Sequence, residues 1–190
     1  MSDRPKFPAA RARVVAEKLA EALKPVCTRI EIAGSLRRGK PEVGDIEILY
    51  IPKNTLIPDP QDMFGDKKIQ VNAADIIIRE LIQRGSLAKR LNKNGHETWG
   101  DLNKHAVAVK TGIPVDLFAT TTEHWWVSLV IRTGSLETNL KLTKAAIERG
   151  RHLHAYGAGI TDRWGTLIPA TSEAHVFELC GVPYLEPKNR

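Results

Sequence analysis

The chain has 190 residues, 42% of them hydrophobic and 26% charged, with a formal net charge of +6. That length suits one compact domain or two small lobes, and the apolar fraction is enough for a core, which excludes a disordered chain. A basic balance favours a polyanionic partner such as nucleic acid, although on charge alone a merely soluble basic protein is an equal reading.

Residues 8–24 read as an amphipathic helix, with Val15, Leu19 and Leu23 recurring every four residues and Pro25 as the stop. Arg29–Ala33 alternates polar and apolar residues as a half-buried strand, Gly34-Ser35 breaks the alternation, and Asp45–Ile51 resumes it. Residues 52–70, rich in proline, read as a surface loop, and Ala73–Gln83 as a helix. Strand candidates follow at Leu87–Leu91, Ala106–Lys110 and Val115–Ala119, with turn signals at Asn94-Gly95 and Thr111-Gly112. Thr121 or Thr122 can cap a helix running through Val130. Leu136–Arg149 reads as a further helix with Leu136, Leu140 and Ile147 inward, closed by Gly150. Beyond a β-like stretch over 153–168, Ser172 caps a last helix through Cys180. These elements predict an α/β fold, with one lobe over 1–120 and a small α+β lobe over 121–190.

The chemistry concentrates in Ala33–Leu49. Asp45 and Glu47 are two apart in an apolar strand, so both carboxylates leave the same face. Two adjacent anions repel unless a cation lies between them, and hard oxygen ligands suit Mg²⁺ or Mn²⁺. A lone pair of this kind would be two solvated acids. Here Gly34-Ser35 leads into Arg37-Arg38-Gly39, a small-residue turn with amides, a hydroxyl and guanidinium forks, as a triphosphate requires. Asp116, inside another apolar strand, can complete the cluster from a neighbouring strand. Three carboxylates on paired strands fit a two-metal site for phosphoryl transfer.

The string G-S-L-R-R-G…G-D-I-E-I-L, with V-D-L-F later, resembles the nucleotidyltransferase superfamily that includes DNA polymerase beta, which implies that the first lobe is a palm of mixed sheet and two helices. The resemblance implies that Asp45 and Glu47 bind two ions, Mg²⁺ or possibly Mn²⁺, and that Asp116 binds the catalytic one and helps activate a primer 3′-hydroxyl. It implies that Ser35 and Arg38 hold the β- and γ-phosphates, with Gly34, Arg37 and the Gly44 backbone close by. Arg132-Thr133-Gly134-Ser135, then Asn139, then 145–156 and the ending 177–190, resemble the thumb of family X DNA polymerases. In that family the T-G-S turn lines the nucleotide pocket, often with a cis Gly-Ser bond. Asn139 stands where the family hydrogen-bonds the incoming nucleotide, and Tyr156 where it has a tyrosine near the template. Lys141 and Lys144 can contact template phosphates or be solvated helix charges. Lys89, Arg90, Lys93, Lys104 and Lys110, between the catalytic acids, are either a primer-strand contact or a solvated hairpin.

The sequence departs from the family pattern at several positions. The aromatic pair before T-G-S is Ile131-Arg132, which bears on discrimination against ribose. The arginine usual two residues before the third acid is Pro114, so the carboxylates are expected to lack that orienting partner. The template-reading thumb arginine is Thr143. The chain starts where the palm begins, so no deoxyribose phosphate lyase activity is expected. The resemblance implies a DNA-directed DNA polymerase that fills short gaps from dNTPs on primer-template DNA, acting as a monomer. A template-independent or RNA- or protein-directed nucleotidyltransferase is the alternative, and a non-catalytic DNA-binding module a third.

The six histidines fit no closed zinc set, and the Trp125-Trp126 pair reads as packing between lobes rather than as a base-stacking platform. Cys27 and Cys180, far apart, read as reduced, buried hydrophobes. Without a signal peptide or a membrane-length apolar run, the expected location is cytoplasmic, at the nucleoid in a bacterium or in host cytoplasm for a virus.

Overall fold

A computed structural model describes residues 5–62, 66–92, 94–154 and 159–190. It opens with β1 (Phe7–Pro8) and α1 (Ala9–Leu23), followed by β2 (Cys27–Ile32), α2 (Gly34–Arg37), β3 (Glu42–Val43), β4 (Ile46–Pro52), β5 (Asn54–Pro58) and β6 (Lys68–Asn72). Next come α3 (Ala73–Gln83), β7 (Leu87–Lys89), β8 (Asn103–Ala108) and β9 (Ile113–Ala119). The second lobe holds α4 (Trp125–Thr133), α5 (Leu136–Glu148), β10 (Arg151–Leu153), β11 (Ile160–Asp162), β12 (Leu167–Ile168) and α6 (Glu173–Cys180). The fold is α/β with a mixed sheet, as the sequence suggested.

The first lobe is a five-stranded sheet in the order β2-β4-β9-β8-β7. Only β4 and β9 run parallel; the other pairs are antiparallel. Side chains alternate faces along each strand. Ile46, Ile48 and Tyr50 of β4, with Val115 and Leu117 of β9, point to one face and bury against Ala12, Ala16, Leu19 and Leu23 of α1 and Ala74 and Ile78 of α3. On the opposite face, Leu49 and Phe118 pack on Trp125 and Leu129 of α4. Glu47 and Asp116 lie one alternation earlier on the same face, beside the last turn of α4. Both are half-buried.

The second lobe wraps α4, α5 and α6 with the β10-β11-β12 sheet around Val127, Val130, Leu142, Ala146, Ile160, Val176 and Phe177. Ser172 caps α6, its hydroxyl accepting from the His175 amide at 3.0 Å. Trp125 is buried between the lobes, with the Arg29 guanidinium 4.5 Å from its ring and 4.3 Å from that of Trp126. Both cysteines are free and buried, and burial pushes each thiol up to about 11.

Three expectations fail. The loop over 52–70 holds the β5–β6 hairpin, whose cross-strand alternation was masked by its prolines. The inward face of α5 is Thr138, Leu142 and Ala146, while Leu136, Leu140 and Ile147 are exposed. Leu136 and Leu140 instead line the cleft between the lobes. Finally, α4 starts after His124 with no side-chain cap from Thr121 or Thr122. Among the described residues no helix is long and apolar enough to cross a membrane.

Candidate active site

Glu47 and Asp116 are register partners across the parallel β4–β9 pair, and Asp45 lies two residues before Glu47. Partners on neighbouring strands share a face about 4.8 Å apart, so the three acids stand together at one edge of the sheet. Burial, then the charge of Asp45, push the Glu47 carboxyl up to about 8, with Asp116 adding and Arg132 and Arg38 opposing. Glu47 leans over Gly34: a Cβ there would sit 2.8 Å from Glu47 Oε2, and the φ of +63° suits only glycine. Asp116 turns the other way, its Oδ1 accepting from Arg90 Nη2 at 2.6 Å. The acids therefore share an edge without converging. Among the described residues no three His, Cys, Asp or Glu side chains are close enough to hold an ion.

The donor set nonetheless suits a divalent cation. It is all oxygen, it is partly shielded from water, and one carboxyl is held above the usual range by burial and by the neighbouring charge of Asp45, the state that a hard cation relieves.

Beside these acids is a cavity of about 500 Å³ between the lobes. It is lined by Gly34, Ser35, Arg38, Asp45, Glu47, Gly134, Ser135 and Asn139, all anticipated from the sequence, and also by Ile131, Arg132, Leu136, Leu140 and Thr143. Arg38 crosses from α2 to the turn after α4, Nη1 donating to Thr133 O at 2.5 Å and to Gly134 O. Burial lowers its pKa, against the opposing charges of Glu47 and Asp45. Its Nε is buried without a partner, as is Asn139 Oδ1, while Asn139 Nδ2 donates to Ile131 O at 2.8 Å. An orphan donor on one wall and an orphan acceptor on the other are unsatisfied groups that a polar ligand would complete. Any side chain at position 134 would collide with Asn139, since a Cβ there would lie 2.1 Å from Oδ1.

Arg37, Thr133 and Gly44, also anticipated, do not line the cavity. Arg37 faces the second lobe, pairing both nitrogens with Glu173 at 2.9 and 2.6 Å and donating to Thr133 Oγ1 at 2.7 Å. Thr133 is buried as acceptor for both arginines. Gly44 is half-buried just ahead of Asp45. The Ser135 hydroxyl caps α5, accepting from the Thr138 amide at 3.1 Å. No cis peptide occurs among the described residues, so the Gly134–Ser135 bond is trans.

Lys104 cannot reach DNA: only 4% exposed, it is tied to Asp75 Oδ1 and Gly100 O, each at 2.9 Å. Lys141 and Lys144 are exposed on α5. Tyr156 and Lys93 lie outside the described residues. Position 114 is proline as read, but Asp116 does have a cationic partner, Arg90, which reaches it from the end of another strand. Pro114 signalled the vacancy, but nothing local showed which of the hairpin cations filled it. Glu173 was missed too, 136 residues from Arg37.

A five-stranded palm sheet with an acid edge, joined through arginines to a smaller lobe, defines a nucleotidyltransferase. A family model described as DNA polymerase beta palm matches residues 5–110, more than half of the chain, and one described as DNA polymerase beta thumb matches residues 128–190. The chain therefore belongs to the polymerase beta-like, family X DNA polymerases. Asp116 lies between the two matched ranges, so its place rests on the sheet register.

Two crystal structures of Leishmania infantum polymerase beta share the fold. A ternary gap complex superposes with a TM-score of 0.73 at 20% identity, covering 98% of this chain and 71% of the other. A ternary P/T complex gives 0.72 at 21% identity, covering 98% and 77%. No curated protein matches significantly.

Proposed function

We propose that this polymerase fills short gaps in DNA, adding dNTP-derived nucleotides to a primer 3′-hydroxyl under template direction. The observation that carries this is the union, around one cavity, of the edge holding Asp45 and Glu47 with the orphan groups of Arg38 and Asn139. The relatives crystallised as a gap complex and a P/T complex support DNA as the partner. The triphosphate would be held by Ser35, the Gly34 backbone and Arg38, whose unpartnered Nε offers a donor to a phosphate oxygen. Asn139 Oδ1 would accept from the nucleotide.

Asp45, Glu47 and Asp116 would hold two divalent ions, Mg²⁺ by preference, which when bound lower the hydroxyl's pKa and stabilise charge on the transferring phosphoryl group. The primer hydroxyl attacks the α-phosphate in line and pyrophosphate leaves. The protein's part is to align the reactants and hold the charge of the triphosphate. All these groups come from one chain, which suits a monomer. We place the boundary between palm (1–120) and thumb (121–190) just before α4, whose first residue, Trp125, packs on the palm.

Primer extension on gapped, nicked and single-stranded DNA, with each dNTP and rNTP, tests this directly. Correct-base insertion confined to the gap is expected, and Asp116→Ala should abolish it while DNA binding persists. Untemplated addition to single strands would favour the template-independent alternative, and extension by the mutant would remove the chemistry from this edge.

A further inference from the structure

A straight row crosses the sheet at the acid edge. Glu47 on β4 faces Asp116 on β9, which faces His105 on β8. Arg90, the first residue past β7, continues the row, its amide donating to His105 O at 3.0 Å. From there its side chain runs back across β8. Nε donates to Ala106 O at 3.3 Å, and Nη2 reaches Asp116 Oδ1 at 2.6 Å.

The Asp116 side chain is 14% exposed and that of Arg90 32%, so this pair is far less hydrated than an ordinary surface ion pair. A planar guanidinium anchored through Nε and bonding through Nη2 has little rotational freedom left, which a lysine could not reproduce. Pro114, two residues before Asp116 and on the same face of β9, can supply no cation. Arg90 supplies the cation that bonds Asp116 instead.

We infer that Arg90 is the positioning residue of the third acid: reaching across β8, it commits one oxygen of Asp116 and so sets how that carboxylate is presented to a metal ion and to the primer hydroxyl. This deepens the proposed polymerase reaction and rests on it. Partners one step behind a metal ligand fix its direction, and their loss costs about 10–100-fold in metal affinity or activity.

The test compares wild type, Arg90→Ala, Arg90→Lys and the double variant Arg90→Ala with Pro114→Arg. Read out are kcat and nucleotide KM on gapped DNA, Mn²⁺ binding to the protein alone by electron paramagnetic resonance, and the melting temperature. Arg90→Ala should lower kcat about 10–100-fold and weaken Mn²⁺ binding about tenfold, with nucleotide KM changed less than about twofold. Arg90→Lys should fold as wild type yet keep most of the loss. Arginine at 114, on the same face as Asp116, should restore roughly tenfold of kcat. Wild-type kcat and Mn²⁺ affinity in Arg90→Ala, tighter Mn²⁺ binding, or a loss that arginine at 114 does not repair would overturn the inference. If wild type inserts no nucleotide, the polymerase proposal falls, and the Mn²⁺ arm still decides Arg90 by comparison with Asp116→Ala.

Discussion

Glu173 is the most informative residue to remove for the coupling of the two lobes. Its carboxylate receives Arg37 from the palm and Arg190 at the end of the thumb, at 2.6–2.9 Å. The Arg190 side chain is fully buried, its guanidinium 4.9 Å from the Phe177 ring centre and 5.6 Å from that of Tyr184, with its Nε bonded to Leu185 O. Burial raises the Glu173 carboxyl, but its bonds to Arg37 and the charges of both arginines outweigh this and hold it below the usual carboxylate value.

Glu173→Ala strands a buried guanidinium, and breaking a buried pair from one side costs about 3–5 kcal/mol. For a chain of this length each kcal/mol moves Tm by about 2–4 °C. Arg37, 19% exposed, can turn to water, so we expect the lower part of the product, a fall of about 6–12 °C in thermal unfolding followed by circular dichroism. Adding Arg190→Met should recover most of that fall by removing the stranded charge. Because the folded pKa is lowered, the Glu173 contribution is present above about pH 4.5 and lost as pH falls below it, a limb that Glu173→Gln should flatten. A Glu173→Ala protein melting within about 2 °C of wild type would refute the reasoning, for the pair would then be no more than surface decoration.

Glu47 carries the opposite sign. Its folded pKa, near 8, lies above the ordinary 4.5, so its contribution is full below about pH 4.5 and is lost as pH rises through about 8. In chelator, thermal stability should drop between about pH 5 and 9; Glu47→Gln should flatten the drop and a divalent cation should reverse it. Arg38→Ala should raise nucleotide KM about tenfold or more by removing a phosphate donor and the bridge to Thr133 and Gly134, and an unchanged KM in steady-state insertion would exclude it from the triphosphate site.

That Asp45, Glu47 and Asp116 come to one side of the sheet could be read from sequence because strand geometry converts a two-residue spacing into a shared face, and their apolar neighbours identified the strands. Arg38, Gly134 and Asn139 were legible through motif spacing, and the cavity does collect them. Lys104 misled because a lysine opposite the Asp116 strand looks ready for phosphate. Its fate depended on Asp75 of α3, which no local pattern connects to it. The same holds for Arg37 and Arg90, whose partners lie 136 and 26 residues away and become visible only once sheet order and lobe docking are known. On α5, periodicity identified the helix, but which apolar stripe faced inward was decided by a cleft that the stripe itself helps to build.

Crystals grown with Mn²⁺ and a non-hydrolysable dNTP analogue on gapped DNA would settle the matter by anomalous scattering. Two peaks should lie between Asp45, Glu47 and Asp116, with Glu47 lifted off Gly34 and the triphosphate against Ser35 and Arg38. Mn²⁺ bound elsewhere, with Asp116 and Glu47 still turned apart, would contradict metal-assisted nucleotide transfer at this edge of the sheet.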